Sequence, residues 1–564
     1  MKTNERLADT LIESGVTRAF TLPGLGITWT LPALYERRDK LDLVLCRSEQ
    51  TASIMAQVTG RITGKPGVFL GQGPWVASTG QFGIIEAAFS GSPMLIITDT
   101  SDYNGYGMYG CYQTMTGGFG ALDIQSVLRQ VTKYCAYATE PEEIVYGAQM
   151  AYKHASLPRK GPAALIMKTP AIRQEFPETP RTPLYPSQGH HTYTPARPDM
   201  DAVRKLAAML GDAEHPVFIA GNGVYDSRSG NALLDLAQKI GAAVVTSYLG
   251  KGTVDETADV ACGMLGTWGH PAANRMVQKA DLVVMMGASM GPDYTRFRDP
   301  KLIRPHEQKL IQIDIDPRSS GWVYPVDIAI TGDVGDVVCM LAELNIDGSR
   351  REERVRAIRA LKDEWSYDAP QGHQPQFGTM AFIDVVRGMQ NFITKDDIIS
   401  LDAGNSRIWM TNALRLPYQN QLLAPGGAGG MGWAGPAAAA AKLALPEKRV
   451  TCLAGDGGFM MTADIVATCA QYKIPATFVV LNNRGLGMIR DNLGPNRIAC
   501  DFPDVDFAKM CEGMGANSYT VTSSKDFGDV LRSAHTYQDG PSVIDVKIDP
   551  HDSHRPASDH ARLP

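Results

Sequence analysis

A chain of 564 residues, 44% apolar and 20% charged, has room for three or four ordinary domains and the composition of a globular protein. A net charge of −6 without any basic run argues against a nucleic-acid partner, and no apolar run reaches the roughly 18 residues of a membrane span. Nine scattered cysteines without a C-x-x-C pair indicate free thiols in a reducing cytoplasm, and eleven histidines show no metal-ligand spacing.

The chain opens with MKTNERLADTLIESG, which reads as an amphipathic helix and not as a signal peptide. Apolar runs predict strands at 41–46, 67–70 and 94–98. The first of these, LDLVLC, leads into Arg47-Ser48-Glu49-Gln50 and a helix of small residues. On local grounds Ser48 is the N-cap and Glu49 sits at the positive helix end. A Gly-rich aromatic loop, YNGYGMYGCYQTMTGGFG, carries Tyr112 and Gln113. Residues 176–198 are proline-rich and aperiodic, an extended linker in which His190-His191 is solvated. Strands are predicted next at 217–220, 243–246, 282–286 and 310–315. Here Gly221-Asn222-Gly223 is too short for a dinucleotide fingerprint, and Asp314 and Asp316 end a structural strand. Residues 347–376 hold a charged helix, SRREERVRAIRALKDEW, and a loop. The last strands fall at 397–401, 450–454, 476–481 and 542–548, with a buried Ala-rich helix at 434–445 and a loose tail at 551–564. Helix and strand patterns alternate throughout, which predicts an α/β fold of three doubly wound parallel-sheet domains at 1–175, 199–346 and 377–550, joined by linkers 176–198 and 347–376.

The most informative residues lie in the third block. VTCLAGDGGF runs a strand into the glycine-flanked Asp456, and ATFVVLNN ends a second strand in Asn482-Asn483. Either piece alone reads as a turn or a strand terminator. Together, on two strand ends, Asp456 and Asn483 supply the hard oxygen ligands that Mg²⁺ or Ca²⁺ wants, where open α/β sheets bind ligands. Gly457 and Gly458 let backbone approach a phosphate, Gly455 before them is a further cofactor-binding candidate, and a helix over roughly 461–471 would aim its first N–H groups at that anion.

This spacing resembles the diphosphate–metal motif of thiamine diphosphate (ThDP) enzymes. The resemblance covers nearly the whole chain and is closest to the acetolactate synthase-like branch, which includes benzaldehyde lyase-like, oxalyl-CoA decarboxylase-like and 2-hydroxyacyl-CoA lyase-like members. TLPG, with Pro23 and Gly24, looks like the family's N-terminal P-G turn. TASIMAQVTGRITGKPGVFLGQGP resembles its glutamate helix and the G-P turn at Gly73-Pro74. LGKGTVDE, CGMLGTWG and IDIDP resemble middle-domain signatures, and PGGAGGMGWAG looks like the loop that grips the aminopyrimidine. The resemblance implies pyrimidine-binding, middle Rossmann-like and diphosphate-binding domains, with ThDP and Mg²⁺ as cofactors. It implies that Asp456, Asn483 and the carbonyl of Gly485 ligate Mg²⁺, that Leu486 and Met488 line the cofactor, that Met431 buttresses it and that the Gly429 carbonyl accepts from its 4′-amino group. Glu49 would hold the pyrimidine nitrogen and promote the tautomer that acts as base, a role suited to an apolar pocket. Gln113 matches a position that faces the reactive carbon. The same likeness implies a homodimer or homotetramer in which Glu49 of one subunit meets Asp456 and Asn483 of another.

Departures from the family's patterns bear on the substrate. Where pyruvate-decarboxylase-like enzymes carry acidic groups, this chain has Leu25 and Ile489, and no paired histidines stand near Tyr112-Gln113. Acetolactate synthases hold the acceptor carboxylate with an Arg where this chain has Ser289; Arg490 or Arg484 are candidate substitutes. Trp75, Tyr112, Trp268 and Trp433 are candidates for the pocket wall, with core packing as the alternative. FAD or ADP in the middle domain is not favoured. The expectation is a carboligase or lyase acting beside a carbonyl, on 2-oxo acids, acyloins or aldehydes. The alternatives are a decarboxylase of a 2-oxo acid or an oxalyl-CoA-like thioester, with Arg555 and Arg562 as CoA phosphate contacts, a diketone hydrolase, and a regulatory homologue without catalysis.

Overall fold

A computed structural model describes residues 1–102 and 113–558. It contains three six-stranded sheets, parallel throughout. The first holds β1 (Arg18–Leu22), β2 (Asp42–Leu45), β3 (Gly67–Gly71), β4 (Met94–Asp99), β5 (Tyr134–Ala138) and β6 (Pro162–Met167) in the order β2-β1-β3-β4-β6-β5. The second holds β7 (Pro216–Ala220), β8 (Ala243–Thr246), β9 (Ala261–Met264), β10 (Leu282–Met286), β11 (Lys309–Asp314) and β12 (Ile328–Thr331) in the order β12-β11-β10-β7-β8-β9. The third holds β13 (Asp397–Leu401), β14 (Leu422–Leu423), β15 (Arg449–Gly455), β16 (Thr477–Asn482), β17 (Asn517–Val521) and β18 (Ser542–Lys547) in the order β14-β13-β15-β16-β18-β17.

The first and third sheets thus share one topology, a kinship the sequence does not display. The middle sheet has the dinucleotide-fold order read from its far edge. Central strands are buried along their whole length, as β4, β6, β7, β10 and β13 show, because helices cover both faces of a parallel sheet. In each sheet the chain reverses direction of growth between two neighbours: β1 and β3, β7 and β10, β13 and β15. The crevice beyond their C-terminal ends is where such folds bind ligands.

The described chain groups into two compact units. One is built from Met1–Thr194, Pro425–Pro446 and Thr462–Ile474; the other contains the second and third sheets. The core of the first unit includes Leu7, Leu70, Ile97 and Leu165. In the second unit, one core wraps the middle sheet and another wraps the C-terminal sheet.

Three local expectations are corrected. The proline-rich stretch contains a short helix, Ser187–His191. There His191 stacks on Tyr152 at 4.5 Å and His190 meets Tyr146 edge-on at 6.0 Å, so this pair packs on aromatic rings. The tail is held down as far as residue 558: the Trp409 indole donates to the Ser553 carbonyl at 3.1 Å, and His554, fully buried, shares a 2.7 Å bond with Asp491. The helix after β15 begins at Asp456 itself and ends at Met461; a separate helix spans Ile465–Tyr472. The helix expected over roughly 461–471 is therefore the second of two, and between them the Thr462 hydroxyl donates to the Gly432 carbonyl at 2.7 Å.

Candidate active site

The candidate residues form two groups, one in each unit. In the first unit, Ser48 is an extended N-cap that accepts from the Thr51 N–H, and Glu49 is the first residue of the helix Glu49–Thr63. Asp464 braces this helix start by accepting from Ser48 Oγ at 3.1 Å and Thr51 Oγ1 at 2.9 Å. Glu49 is 9% exposed, and its Oε2 accepts from Thr79 Oγ1 at 3.2 Å. Capping and a catalytic role are compatible here: the helix fixes the carboxylate, and among the described residues Thr79 is the donor to Oε2 while Oε1 receives none.

The glycine-rich loop that leads into the helix Ala434–Ala444 belongs to the same unit. Its anchor is Glu86, which sequence reading missed. Glu86 is fully buried and accepts the Gly427 N–H at 2.9 Å and the Ala428 N–H at 2.7 Å. Burial pushes its pKa up, and the backbone N–H groups of Ala428, Gly427 and Gly429 counter that push. Gly429 and half-buried Met431 therefore sit on a loop whose backbone is held by one carboxylate. Trp433 is fully buried and donates to Gln57 Oε1 at 2.9 Å, which makes it core rather than pocket wall. Trp75 is 42% exposed, on the short helix Gly73–Val76 that follows β3. Pro23 and Gly24 follow β1, across the crevice from Gly73. Gln113 has its Oε1 bonded to Gln72 Nε2 at 2.9 Å. Tyr112 lies outside the described residues, as does Arg562.

In the second unit, Asp456 stands at the end of β15 and Asn483 just past β16, neighbouring strands in register. Both are 4% exposed. Asp456 Oδ1 accepts the Gly457 N–H at 2.7 Å and Oδ2 accepts the Gly485 N–H at 2.9 Å. Burial raises the Asp456 pKa to about 6, against the backbone N–H groups of Gly485, Gly457 and Arg484 and the charge of Arg490. A buried carboxylate served only by neutral donors is a fitting seat for a cation.

A second observation supports that fit. Asn405 opens the helix Asn405–Ala413 beyond β13, on the other side of the crevice from Asp456. Its Nδ2 donates to Asp491 at 3.1 Å, while its Oδ1 is buried without a partner. A Cβ on Gly487 would lie 2.6 Å from Asn483 Nδ2 and 2.8 Å from Asn405 Nδ2, so the two amides converge there. Asn405 is thus a further candidate for the cofactor's polar end. The strand-end run Asp402-Ala403-Gly404-Asn405 resembles the signal that singled out Asp456. The Gly485 carbonyl accepts the Gly487 N–H at 3.0 Å, which leaves it one lone pair for a metal. Gly455 has open space where a side chain would be. Gly458 is buried; Leu486 and Met488 are half-buried. Among the described residues no group of three or more His, Cys, Asp or Glu could hold a metal ion; the expected set is instead one carboxylate, one amide and one carbonyl.

Arg490 is not a free carboxylate clamp. It is 7% exposed, with Nε on Asp501 at 2.9 Å and its other nitrogens on the carbonyls of Asn483, Arg484 and Pro550. It ties the metal-motif loop to the C-terminal strand segment. Arg555 donates to the Asp491 carbonyl at 3.0 Å. Trp268 packs partly buried against the C-terminal core and meets His554 edge-on at 5.4 Å. In the middle sheet, the Gly223 N–H donates to the Gly287 carbonyl at 3.0 Å, and a Cβ on Gly221 would lie 2.2 Å from that oxygen. These glycines serve close packing of two loops at the β7–β10 crevice. Asp314 does end β11, and its Oδ1 accepts the Asp316 N–H.

Comparison with known proteins agrees with this geometry. Residues 1–126 match the thiamine pyrophosphate enzyme N-terminal TPP binding domain, 203–341 its central domain and 402–546 its C-terminal TPP binding domain. A probable acetolactate synthase large subunit of Methanocaldococcus jannaschii is 29% identical, over 98% of this chain and 92% of its own. A sulfoacetaldehyde acetyltransferase of Castellaniella defragrans is 27% identical, over 95% and 90%. The acetolactate synthase isozyme 1 large subunit of Escherichia coli is 26% identical, over 96% and 92%. All three domains of a thiamine diphosphate enzyme are present in order, and the chain belongs to the acetolactate synthase-like branch of that family.

Proposed function

We propose that this protein is a Mg²⁺- and ThDP-dependent carboligase that joins an acyl unit from a 2-oxo acid or acyloin to a neutral carbonyl acceptor, and runs the reverse cleavage. The observation that carries the cofactor reading is Asp456: a buried carboxylate at a strand-end crevice, with only backbone N–H partners. Asp456, Asn483 and the Gly485 carbonyl would hold Mg²⁺, and Asn405 would serve the polar end of ThDP. Bound ThDP supplies a carbon that carries an acyl group as a carbanion equivalent. Glu49 holds the cofactor's pyrimidine by its carboxylate, Glu86 fixes the loop bearing Gly429 and Met431, and Gln113 orients the acceptor. The active unit is at least a dimer, and the enzyme works in the cytoplasm.

The choice of a neutral acceptor rests on the cations. Ser289 stands where the branch's carboxylate clamp would be, and Arg490 is spent on the loop backbone and Asp501, which leaves exposed Arg484 as the remaining candidate of the two. A planar guanidinium is what a carboxylate needs for bidentate recognition. Leu25 and Ile489 place no proton donor where pyruvate-decarboxylase-like enzymes carry acidic groups, which would favour a carbonyl acceptor held in the site over release of free aldehyde. The relatives named acetolactate synthase and sulfoacetaldehyde acetyltransferase support acyl transfer as the reaction class.

The test is to incubate the ThDP–Mg²⁺ holoenzyme with a panel of 2-oxo acids and acyloins, with and without aldehydes, and to identify products by mass. Mixed acyloins are expected when an aldehyde is present. Free aldehyde dominating at saturating acceptor would replace this reading with a decarboxylase. Efficient 2-acetolactate formation from pyruvate alone would show that a carboxylate-bearing acceptor is accommodated.

A further inference from the structure

Gln72 follows β3 in the first unit, is 3% exposed, and had no part in the sequence argument. It belongs to a chain of hydrogen bonds whose direction is set at one end by a carboxylate. Asp99 closes β4, fully buried, and its Oδ2 accepts from the Ser101 N–H at 2.7 Å, from Ser101 Oγ at 3.0 Å and from Thr169 Oγ1 at 3.0 Å. Burial raises the Asp99 pKa, but three donors converging on Oδ2 keep that oxygen an acceptor in either protonation state. The Ser101 hydroxyl has a single hydrogen, and it is spent on Asp99. Toward Gln72 the same oxygen can only accept.

Gln72 Nε2 lies 3.1 Å from Ser101 Oγ and 2.9 Å from Gln113 Oε1. An amide nitrogen has two hydrogens, one for each of these oxygens. The Gln113 carbonyl is therefore tied to Gln72, and its own NH₂ is turned the other way. The arrangement is specific to these side chains. A Cβ on residue 24 would lie 2.0 Å from Gln72 Oε1, so Gly24 leaves the room that Gln72 occupies. Ser101 and Gln113 both hold left-handed backbone, at φ 48° and 67°, a conformation that non-glycine residues adopt at a cost and that clusters at functional sites.

We propose that Gln72 is a positioning residue that sets the Gln113 amide with its NH₂ toward substrate, so that the site selects a hydrogen-bond acceptor: the carbonyl oxygen of an aldehyde or ketone. When a carbon–carbon bond forms there, the attacking carbon's electron pair becomes the new bond and the C=O π pair moves to oxygen. A preset N–H donor stabilises that growing charge. This rests on the proposed role of Gln113 as the amide facing the substrate.

Two measurements decide it. Neutron diffraction from deuterium-exchanged holoenzyme crystals reads the amide without any substrate. Deuterium on the Gln113 nitrogen turned away from Gln72 is expected; the nitrogen facing Gln72 overturns the inference whatever the reaction proves to be. The kinetic arm uses Gln72→Glu with the most active donor–aldehyde pair of the product panel. An ionised carboxylate can only accept, so Gln113 must flip and withdraw its donor; kcat/KM should fall about 10²-fold at high pH, the scale of one lost donor. As pH falls and the new carboxyl takes up a proton, it can donate to Gln113 again, and the variant-to-wild-type ratio should rise. Gln72→Met should lose activity at every pH, and ThDP affinity should be unchanged in both variants. A Gln72→Glu loss that ignores pH, or the absence of any loss, would contradict the positioning role.

Discussion

Asp456→Asn in the metal-free protein separates what Asp456 does for the fold from what it does for the cofactor. Burial lifts its pKa from 3.8 to about 6. That is a shift of about 2 units, or about 3 kcal/mol at 1.36 kcal/mol per unit, between its charged and neutral forms. The folded chain binds this proton more tightly than the unfolded chain does. Between pH 3.8 and about 6 the unfolded state has released the proton and the folded state has not. Wild-type stability from this group is therefore fully present below pH 3.8, falls as pH rises across that window, and levels off above it. Asparagine mimics the protonated acid and has no such dependence. The assay is the urea midpoint of each protein, stripped of metal and ThDP, from pH 4.5 to 8. Across pH 4.5 to 8 the variant should gain on wild type as pH rises by about 2 kcal/mol, the part of the ~3 kcal/mol that is lost above pH 4.5. With Mg²⁺ and ThDP added the order should reverse, because only the wild type has a carboxylate for the cation. A difference between the two proteins that does not change with pH would refute the reasoning.

Three further outcomes are expected. Glu49→Gln should keep the fold and bind ThDP yet lose roughly 10²-fold or more in turnover, the range of general acid–base contributions; a cofactor C2-proton exchange rate equal to wild type would remove Glu49 from that role. Glu86→Ala removes the acceptor that holds the Gly427 and Ala428 N–H groups and so frees the loop backbone. ThDP affinity should fall about tenfold or more while Mg²⁺ dependence persists, which a titration of each protein with ThDP would show. Sedimentation should find a dimer or tetramer at working concentration, and a fully active monomer would count against a subunit-shared site.

Central strands were legible because burial on both faces leaves an unbroken apolar run: β8, β10 and β13 match the predicted bounds. The strands that escaped notice include the edge strands β5, β12 and β17, whose residues are partly exposed and mixed in polarity. They also include β6, PAALIM, which is buried but opens on proline and is light in branched residues. Asp456 and Asn483 could be found because a polar residue after an apolar strand is a local signal. Glu86 could not: its partners stand 341 and 342 positions away. Gln72 reads as part of a turn until Ser101 and Gln113 close on it. Arg490 invited the opposite error, since only the fold shows that Asp501 and three backbone carbonyls already occupy its guanidinium.

The central claim is that the protein binds ThDP through a metal held by Asp456 and Asn483. The direct measurement is calorimetric titration of ThDP into metal-free protein, with Mg²⁺ and with chelator, for wild type and Asp456→Ala. One ThDP per chain is expected for wild type with Mg²⁺, and no measurable binding in the other three cases. Equal, stoichiometric binding in the presence of chelator, or by the variant, would contradict it.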